Sequence, residues 1–297
     1  MSCFQNHEIA QRSIDPLMII LHTTILTRRG QIAPYDSSIL RNASPLDIDT
    51  EPFPHLVIQD ALPNKLAALL TSSFPVQEFE QSQNNTRASL SVGEISENKN
   101  ISEEWKEFLK FHSSHLFLAA FIELFREHLL THDKLKSLAA NSSPKVGRRN
   151  IESAQGLDVL MEAQISINTP VKIRSSVIGI HVDNSNKLFA GMLYLRRPED
   201  DSVGGNLNLY SWKKNYSQSE KLRLYYKNNY SLTEEHVTLK KEIEYASNVL
   251  VLFPNSIDAL HSVTPRNETA HVRTFVNFLG ELPFNVYQLP FMDNKIR

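Results

Sequence analysis

Cysteine is almost missing from this chain. Cys3 stands alone among 297 residues, which excludes an internal disulfide framework and any cysteine-rich zinc site. A metal, if held, must be ligated by His, Asp or Glu. An excess of charge of one sign is missing too. The 31 Lys and Arg nearly balance 33 Asp and Glu for a net charge of -2, so the chain has no global attraction for phosphate backbones or anionic membranes, and nucleic acid is not an expected partner. Nor is there a long hydrophobic run. The stretch 16–26 is interrupted by His22, Thr23 and Thr24 and is too short to span a bilayer. It is also a poor secretory signal, with Asp15 directly before it and no small-residue cleavage site ahead of Arg28 and Arg29. With the scarcity of cysteine, this leads us to expect a soluble, cytoplasmic protein without a membrane partner. Tandem repeats and low-complexity tracts are lacking, and of nine glycines the pair Gly204-Gly205 stands out as a hairpin turn signal.

What is present is a chain able to bury a full core, 41% hydrophobic and 22% charged. Residues 1–52 alternate short apolar and polar pieces and are expected to form an N-terminal arm, with one domain over 53–297. A short strand is expected from Phe53, and Pro63 suits the first turn of a helix running through Leu70. The polar stretch 77–100 is expected to be a surface loop or a mobile lid. Ser102 is a candidate N-cap for a helix with Trp105, Phe108 and Leu109, and Phe117, Phe121, Leu124 and Phe125 continue the helical spacing as core-facing positions. A polar connection over 133–157 then ends the helical support, which spans 53–157.

Beyond it the period shortens. Strand-like segments are expected at 159–168, 175–181, 188–195, 206–210, 237–243, 248–253 and 272–279. Helices followed by seven or eight strands indicate an α+β chain whose C-terminal half is a β-sandwich or jelly-roll barrel, with the helices supporting one sheet.

Within these strands lies one constellation with metal chemistry. His181 and Asp183 are two apart in an extended run, and alternate residues of a strand point to one side, so an imidazole and a carboxylate can converge on one ion. A triplet of this kind is common by chance. Later, a buried strand ending in Phe253-Pro254 is followed by a turn and by His261-Ser-Val263-Thr-Pro265. A distant third ligand would complete the two-His, one-carboxylate arrangement that suits Fe(II) and leaves coordination positions open. Arg273, Phe275 and Asn277 share one strand face, placing a fixed cation among interior positions, where it needs an anion.

Taken in order, His181-x-Asp183, Leu193-Tyr194-Leu195, Gly204-Gly205-x-Leu207, Phe253-Pro254, His261-x-Val263-x-Pro265 and Arg273 resemble the 2-oxoglutarate-dependent Fe(II) oxygenase superfamily, in particular its prolyl-hydroxylase-like branch, over roughly 158–281. The resemblance implies a double-stranded β-helix of the cupin-like, jelly-roll kind. It implies that His181, Asp183 and His261 hold Fe(II), that Arg273 pairs with the distal carboxylate of 2-oxoglutarate, and that Tyr194 donates to the same carboxylate. Two donors of this type suit the task, a bidentate guanidinium and a directional phenol. It further implies use of O2, with ascorbate as a candidate reductant, and hydroxylation of an unactivated C–H bond with release of succinate and CO2. Related halogenases carry a small residue where Asp183 stands, which favours hydroxylation here.

In that branch the arginine follows the distal histidine more closely, so Arg266 is the alternative anchor. Arg273 is preferred because it lies in an apolar alternation, whereas Arg266 follows Pro265 in a polar turn and is expected to be solvated. His271 is expected at the rim, and His112, His115, His128 and His132 at the surface or the edge of the core rather than on a metal. Lys213, Lys214, Lys221, Arg223 and Lys227, interleaved with Trp212, Tyr216, Tyr225, Tyr226 and Tyr230, are read as a solvated basic face, with contact to a polar or anionic substrate as the other reading. The expected partner is a small-molecule, amino-acid-like or peptidyl substrate. The competing hypothesis, a cupin-like metal-binding or interaction protein without oxygenase activity, is disfavoured by the three ligands standing together with Tyr194 and Arg273.

Overall fold

A computed structural model of the chain describes residues 36–287. Cys3 and the apolar stretch 16–26 lie outside the described residues, as does most of the expected arm; of the arm's remainder, Ile39 and Leu40 are buried in the main core. No described helix is long and apolar enough to cross a membrane.

The architecture is mixed α/β with a large, predominantly antiparallel sheet. Helices dominate the first half: α1 (Asn64–Ser72), α2 (Val92–Glu97), α3 (Glu103–His112), α4 (His115–Leu124), α5 (Arg126–Leu130) and α6 (Lys136–Ala140). The strands are β1 (Leu56–Ile58), β2 (Arg87–Leu90), β3 (Val146–Arg148), β4 (Val159–Asn168), β5 (Lys187–Leu195), β6 (Leu207–Trp212), β7 (Val237–Ile243), β8 (Ser247–Pro254), β9 (Leu260–Val263) and β10 (Arg273–Glu281). One more helix, α7 (Gln218–Lys227), lies between β6 and β7. The larger, seven-stranded sheet runs β1-β8-β5-β10-β4-β2 with β3 added parallel to β4, and the smaller runs β7-β6-β9.

Alternation along the strands sorts the larger sheet into two faces. Ile165, Ile167, Leu193, Leu250, Leu252, Val276 and Phe278 join the core under the helices, where Phe278 meets the rings of Phe108, His112 and Phe117. The opposite face supplies Ala190, Tyr194, Val249, Val251, Phe253 and Phe275 to a second cluster. Leu207, Leu209 and Ile243 of the smaller sheet meet them there, so the two sheets face one another across it.

Four expectations are corrected. The stretch 77–100 is no free loop: it contains β2, paired antiparallel to β4, and α2, capped by a reciprocal Ser91–Glu94 box. Its polarity disguised an edge strand, which needs an apolar side chain on one face only. Segment 175–181 makes single bridges, Ser175 to Arg266, Ile180 to Leu232 and His181 to His261, rather than a continuous ladder. The connection 133–157 contains α6 and β3. Gly204-Gly205 is not a hairpin, because the strands it joins, β5 and β6, belong to different sheets. Both glycines have positive φ, and a Cβ on Gly204 would stand 2.0 Å from the Pro265 carbonyl oxygen, so the crossing leaves no room for a side chain.

Candidate metal centre and anion pocket

His181, Asp183 and His261 converge, each offering one ligand atom within 4.8 Å of the others. The backbone makes this meeting. His181 and His261 exchange both main-chain hydrogen bonds, at 3.0 and 2.9 Å, so this single antiparallel bridge delivers their imidazoles side by side with ring centroids 4.3 Å apart. Each ring is then turned the same way: His181 Nδ1 lies 2.9 Å from the Gly179 carbonyl and His261 Nδ1 2.9 Å from the Ala259 carbonyl. Donation from Nδ1–H to those oxygens fixes the tautomer and leaves the Nε2 lone pair for a metal.

Asp183 adds the carboxylate. Burial raises its proton affinity, but the Lys187 ammonium at 2.8 Å and the two imidazoles outweigh it and hold the group well below the usual carboxylate range. Lys187 takes Oδ1, which leaves the second oxygen for an ion. Burial, reinforced by His261, pulls His181 down to about 4, so it is neutral at neutral pH as a ligand must be. A donor set of two imidazole nitrogens and one carboxylate oxygen fits a divalent first-row metal such as Fe(II).

Two contacts hold the short backbone between the ligands. Tyr225 of α7 accepts from the Val182 N–H at 3.2 Å and donates to the Val182 carbonyl at 3.0 Å, while the Tyr287 hydroxyl donates to the Asp183 carbonyl. In the sequence Tyr225 appeared only as one aromatic of a basic insertion. The helical spacing of Leu222 and Tyr225, both buried, was the available signal. The basic residues around it are partly neutralised, Lys221 by Asp258 at 2.7 Å.

On the facing sheet Arg273 is almost wholly buried. Its guanidinium carbon sits 4.7, 4.9 and 5.0 Å from the ring centroids of Tyr194, Tyr245 and Phe275, and Nη1 donates to Asn168 Oδ1 at 3.1 Å. Among the described residues Nε and Nη2 make no hydrogen bond. A buried charged donor left unmatched is costly, so this aromatic cage has the chemistry of an anion pocket, and a planar carboxylate fits its fork. Tyr194 lies fully buried beside it with its phenol pushed up by burial, hence protonated and able to donate. Tyr245 and Asn168 were missed in the sequence, the first because it sits in the turn between β7 and β8, the second because it ends a strand.

Arg266 is a correction. It is not solvated but buried, giving Nη1 to Asn85 Oδ1 and to the Thr169 carbonyl at 3.3 and 3.0 Å and Nη2 to the His271 carbonyl at 2.7 Å. Its donors are largely used in holding chain segments together. Gly205 brings the two arginines close, since a Cβ there would lie 3.1 Å from Arg273 Cδ and 3.3 Å from Arg266 Cδ. His112 is buried in the helical core, bonded to the Phe108 carbonyl and the Ile39 N–H, and His271 stands at the rim, 3.7 Å from Asp201.

No family model and no curated protein matches the chain. Among solved structures it is similar to a Pseudomonas putida prolyl-4-hydroxylase, at 11% identity over 80% of this chain and 98% of that one, TM-score 0.42. It is also similar to a prolyl 4-hydroxylase from Phytophthora capsici, at 11% identity over 86% and 68%, TM-score 0.43. A third is a Trichoplax adhaerens prolyl hydroxylase in complex with a hypoxia-inducible-factor oxygen-degradation-domain peptide fragment, at 12% identity over 76% and 83%, TM-score 0.38.

Proposed function

We propose that this chain is an Fe(II)- and 2-oxoglutarate-dependent dioxygenase, with the two facing sheets as its double-stranded β-helix and 53–297 as its catalytic domain. The observation that carries the reading is the pairing of the His181–Asp183–His261 constellation with Arg273, a buried cation whose Nε and Nη2 have no hydrogen-bond partner among the described residues. Bound Fe(II) and 2-oxoglutarate supply the oxidation: O2 is consumed, 2-oxoglutarate is decarboxylated to succinate and CO2, and one oxygen atom goes to a C–H bond of the substrate.

The chain's residues supply the placing. His181 and His261 ligate through Nε2 and Asp183 through the oxygen that Lys187 does not hold. Arg273 and Tyr194 grip the distal carboxylate, and Tyr245 and Phe275 keep water from that charge-assisted contact, which strengthens it. Asp183 fills a coordination position with a carboxylate, which favours hydroxylation over halogenation.

Succinate formation tests the proposal. Purified chain with Fe(II), 2-oxoglutarate and O2 is expected to release succinate slowly without any added substrate, and Asp183→Ala is expected to release none. Equal succinate from both proteins overturns the reading.

A further inference from the structure

The face that carries Arg273 carries a second guanidinium for which the proposed reaction has no use. Arg87 opens the edge strand β2 directly across from Asn168, which stands directly across from Arg273, so the three side chains share one row of one sheet face. Two strand spacings, about 10 Å, separate the arginine backbones. Phe275 lies between the two charges, its ring centroid 5.6 Å from the Arg87 guanidinium carbon and 5.0 Å from that of Arg273.

The two arginines differ in what holds them. Arg273 is buried, whereas Arg87 is exposed. No ion pair among the described residues involves Arg87, and its hydrogen bonds are long and go to neutral groups, Nε to Ser89 Oγ and Nη2 to Gln164 Oε1, each at 3.4 Å. The wall around it is neutral and polar, with Ser89 and Ser166 hydroxyls 2.8 Å apart and Asn277 Nδ2 at 3.4 Å from Gln164 Oε1. Partial desolvation lowers the Arg87 pKa, Asp183 opposes that shift and Arg273 adds to it. An accessible cation on a neutral polar wall, with no carboxylate paired to it among the described residues, is arranged to receive an anion from solution.

We propose that Arg87, with Ser89, Gln164 and Ser166 around it, binds a carboxylate of the molecule to be oxidised, so that the substrate class is a small carboxylic acid of the amino-acid kind. A single guanidinium matches a planar monoanion through two parallel hydrogen bonds, while a phosphate dianion calls for more positive charge than this wall holds. The co-substrate goes to the deeper, caged Arg273, and the exposed Arg87 is reached from the open side. The assignment rests on the dioxygenase reading for what happens to the bound molecule, but the anion site itself does not.

Calorimetric titration decides it. The full chain, loaded with Mn(II) and 2-oxoglutarate without oxygen, is titrated with the common L-α-amino acids, with their carboxamides and with inorganic phosphate. At least one amino acid is expected to bind about tenfold or more tighter than its carboxamide, and Arg87→Gln is expected to abolish that preference through loss of a charge-assisted pair. Arg87→Lys should restore part of it, which a role in folding alone would not produce. Carboxylates that bind no better than carboxamides, phosphate that binds best, or a preference that survives in Arg87→Gln each overturn the assignment. Failure of 2-oxoglutarate to bind the wild type sinks the dioxygenase reading instead, and the same titrations of the chain alone still judge Arg87.

Discussion

Along β10 the two faces of the larger sheet follow opposite rules. Toward the helices Val276 and Phe278 are sealed among rings and aliphatic side chains. Toward the smaller sheet Arg273 and Asn277 are also buried, but among the described residues Arg273 keeps two donors unmatched and the Asn277 amide nitrogen makes a long contact to Gln164. Burial on the first face is complete in itself, since each apolar side chain removed from water stabilises the fold by about 1.5–3 kcal/mol. Burial on the second leaves polar groups short of partners, which costs stability unless a ligand supplies them. The contrast separates residues whose burial is complete in itself from residues whose burial leaves polar groups short of partners among the described residues.

The largest effect is expected from the metal ligands. His261→Ala should remove stoichiometric binding of Fe(II) or Mn(II), measured by titration, whereas replacing His128 outside the cluster should leave it unchanged. Retained one-to-one binding in His261→Ala would mean that His261 does not share an ion with His181 and Asp183.

Next comes the sealed face. Phe278→Ala should cost about 3–5 kcal/mol in denaturant unfolding, because the cavity left under α3 and α4 cannot close. If the loss is below about 1 kcal/mol, the helix side is not the rigid face described.

A smaller effect is expected where the helical insertion supports the site. Tyr225→Phe deletes both hydrogen bonds to Val182 and should weaken metal binding about tenfold, as loss of a group that orients ligands does. Metal affinity equal to wild type would reduce α7 to a surface decoration.

The last effect is on the pH dependence of stability, at Glu162, which shares the β4 face of Gln164, Ser166 and Asn168. Burial raises Glu162 to about 7, with the Val92 N–H and Arg149 opposing and Glu281 adding to the rise. The native state therefore keeps a proton that the unfolded chain releases near pH 4.5, so the group's contribution is intact below that pH and is lost as pH rises through about 7. Glu162→Gln should flatten the stability profile over that window, and an unchanged slope would remove Glu162 from it.

Much of the sealed face was legible in the sequence. The segment 159–168 coincides with β4, because apolar residues at 159, 161, 163, 165 and 167 announce a strand, and 188–195 falls one residue short of β5, a continuous apolar run of the kind buried on both faces. The candidate ligands were legible for a similar reason, since i and i+2 on an extended chain share a side. Less could be read where a residue's meaning depends on what lies opposite. Arg87 sits in a polar stretch and becomes a strand residue only by pairing with Asn168. Arg266 looks like a turn residue until Asn85 and the Thr169 and His271 carbonyls close around it. Gly204 and Gly205 carry a turn composition, but the constraint on them comes from Pro265 and the two arginines, distant in the chain.

The most direct test of the account is the affinity of the Mn(II)-loaded chain for 2-oxoglutarate, compared between wild type and Arg273→Met without oxygen. Methionine fills much of the volume of arginine without its charge, so the fold should survive and even gain stability once the unmatched donors are gone. Affinity for 2-oxoglutarate should fall by about ten- to a thousandfold, the cost of roughly 1.5–4 kcal/mol for losing a charge-assisted pair. Wild-type affinity in a folded, metal-loaded Arg273→Met chain would contradict the claim that the inward face is built to receive that carboxylate.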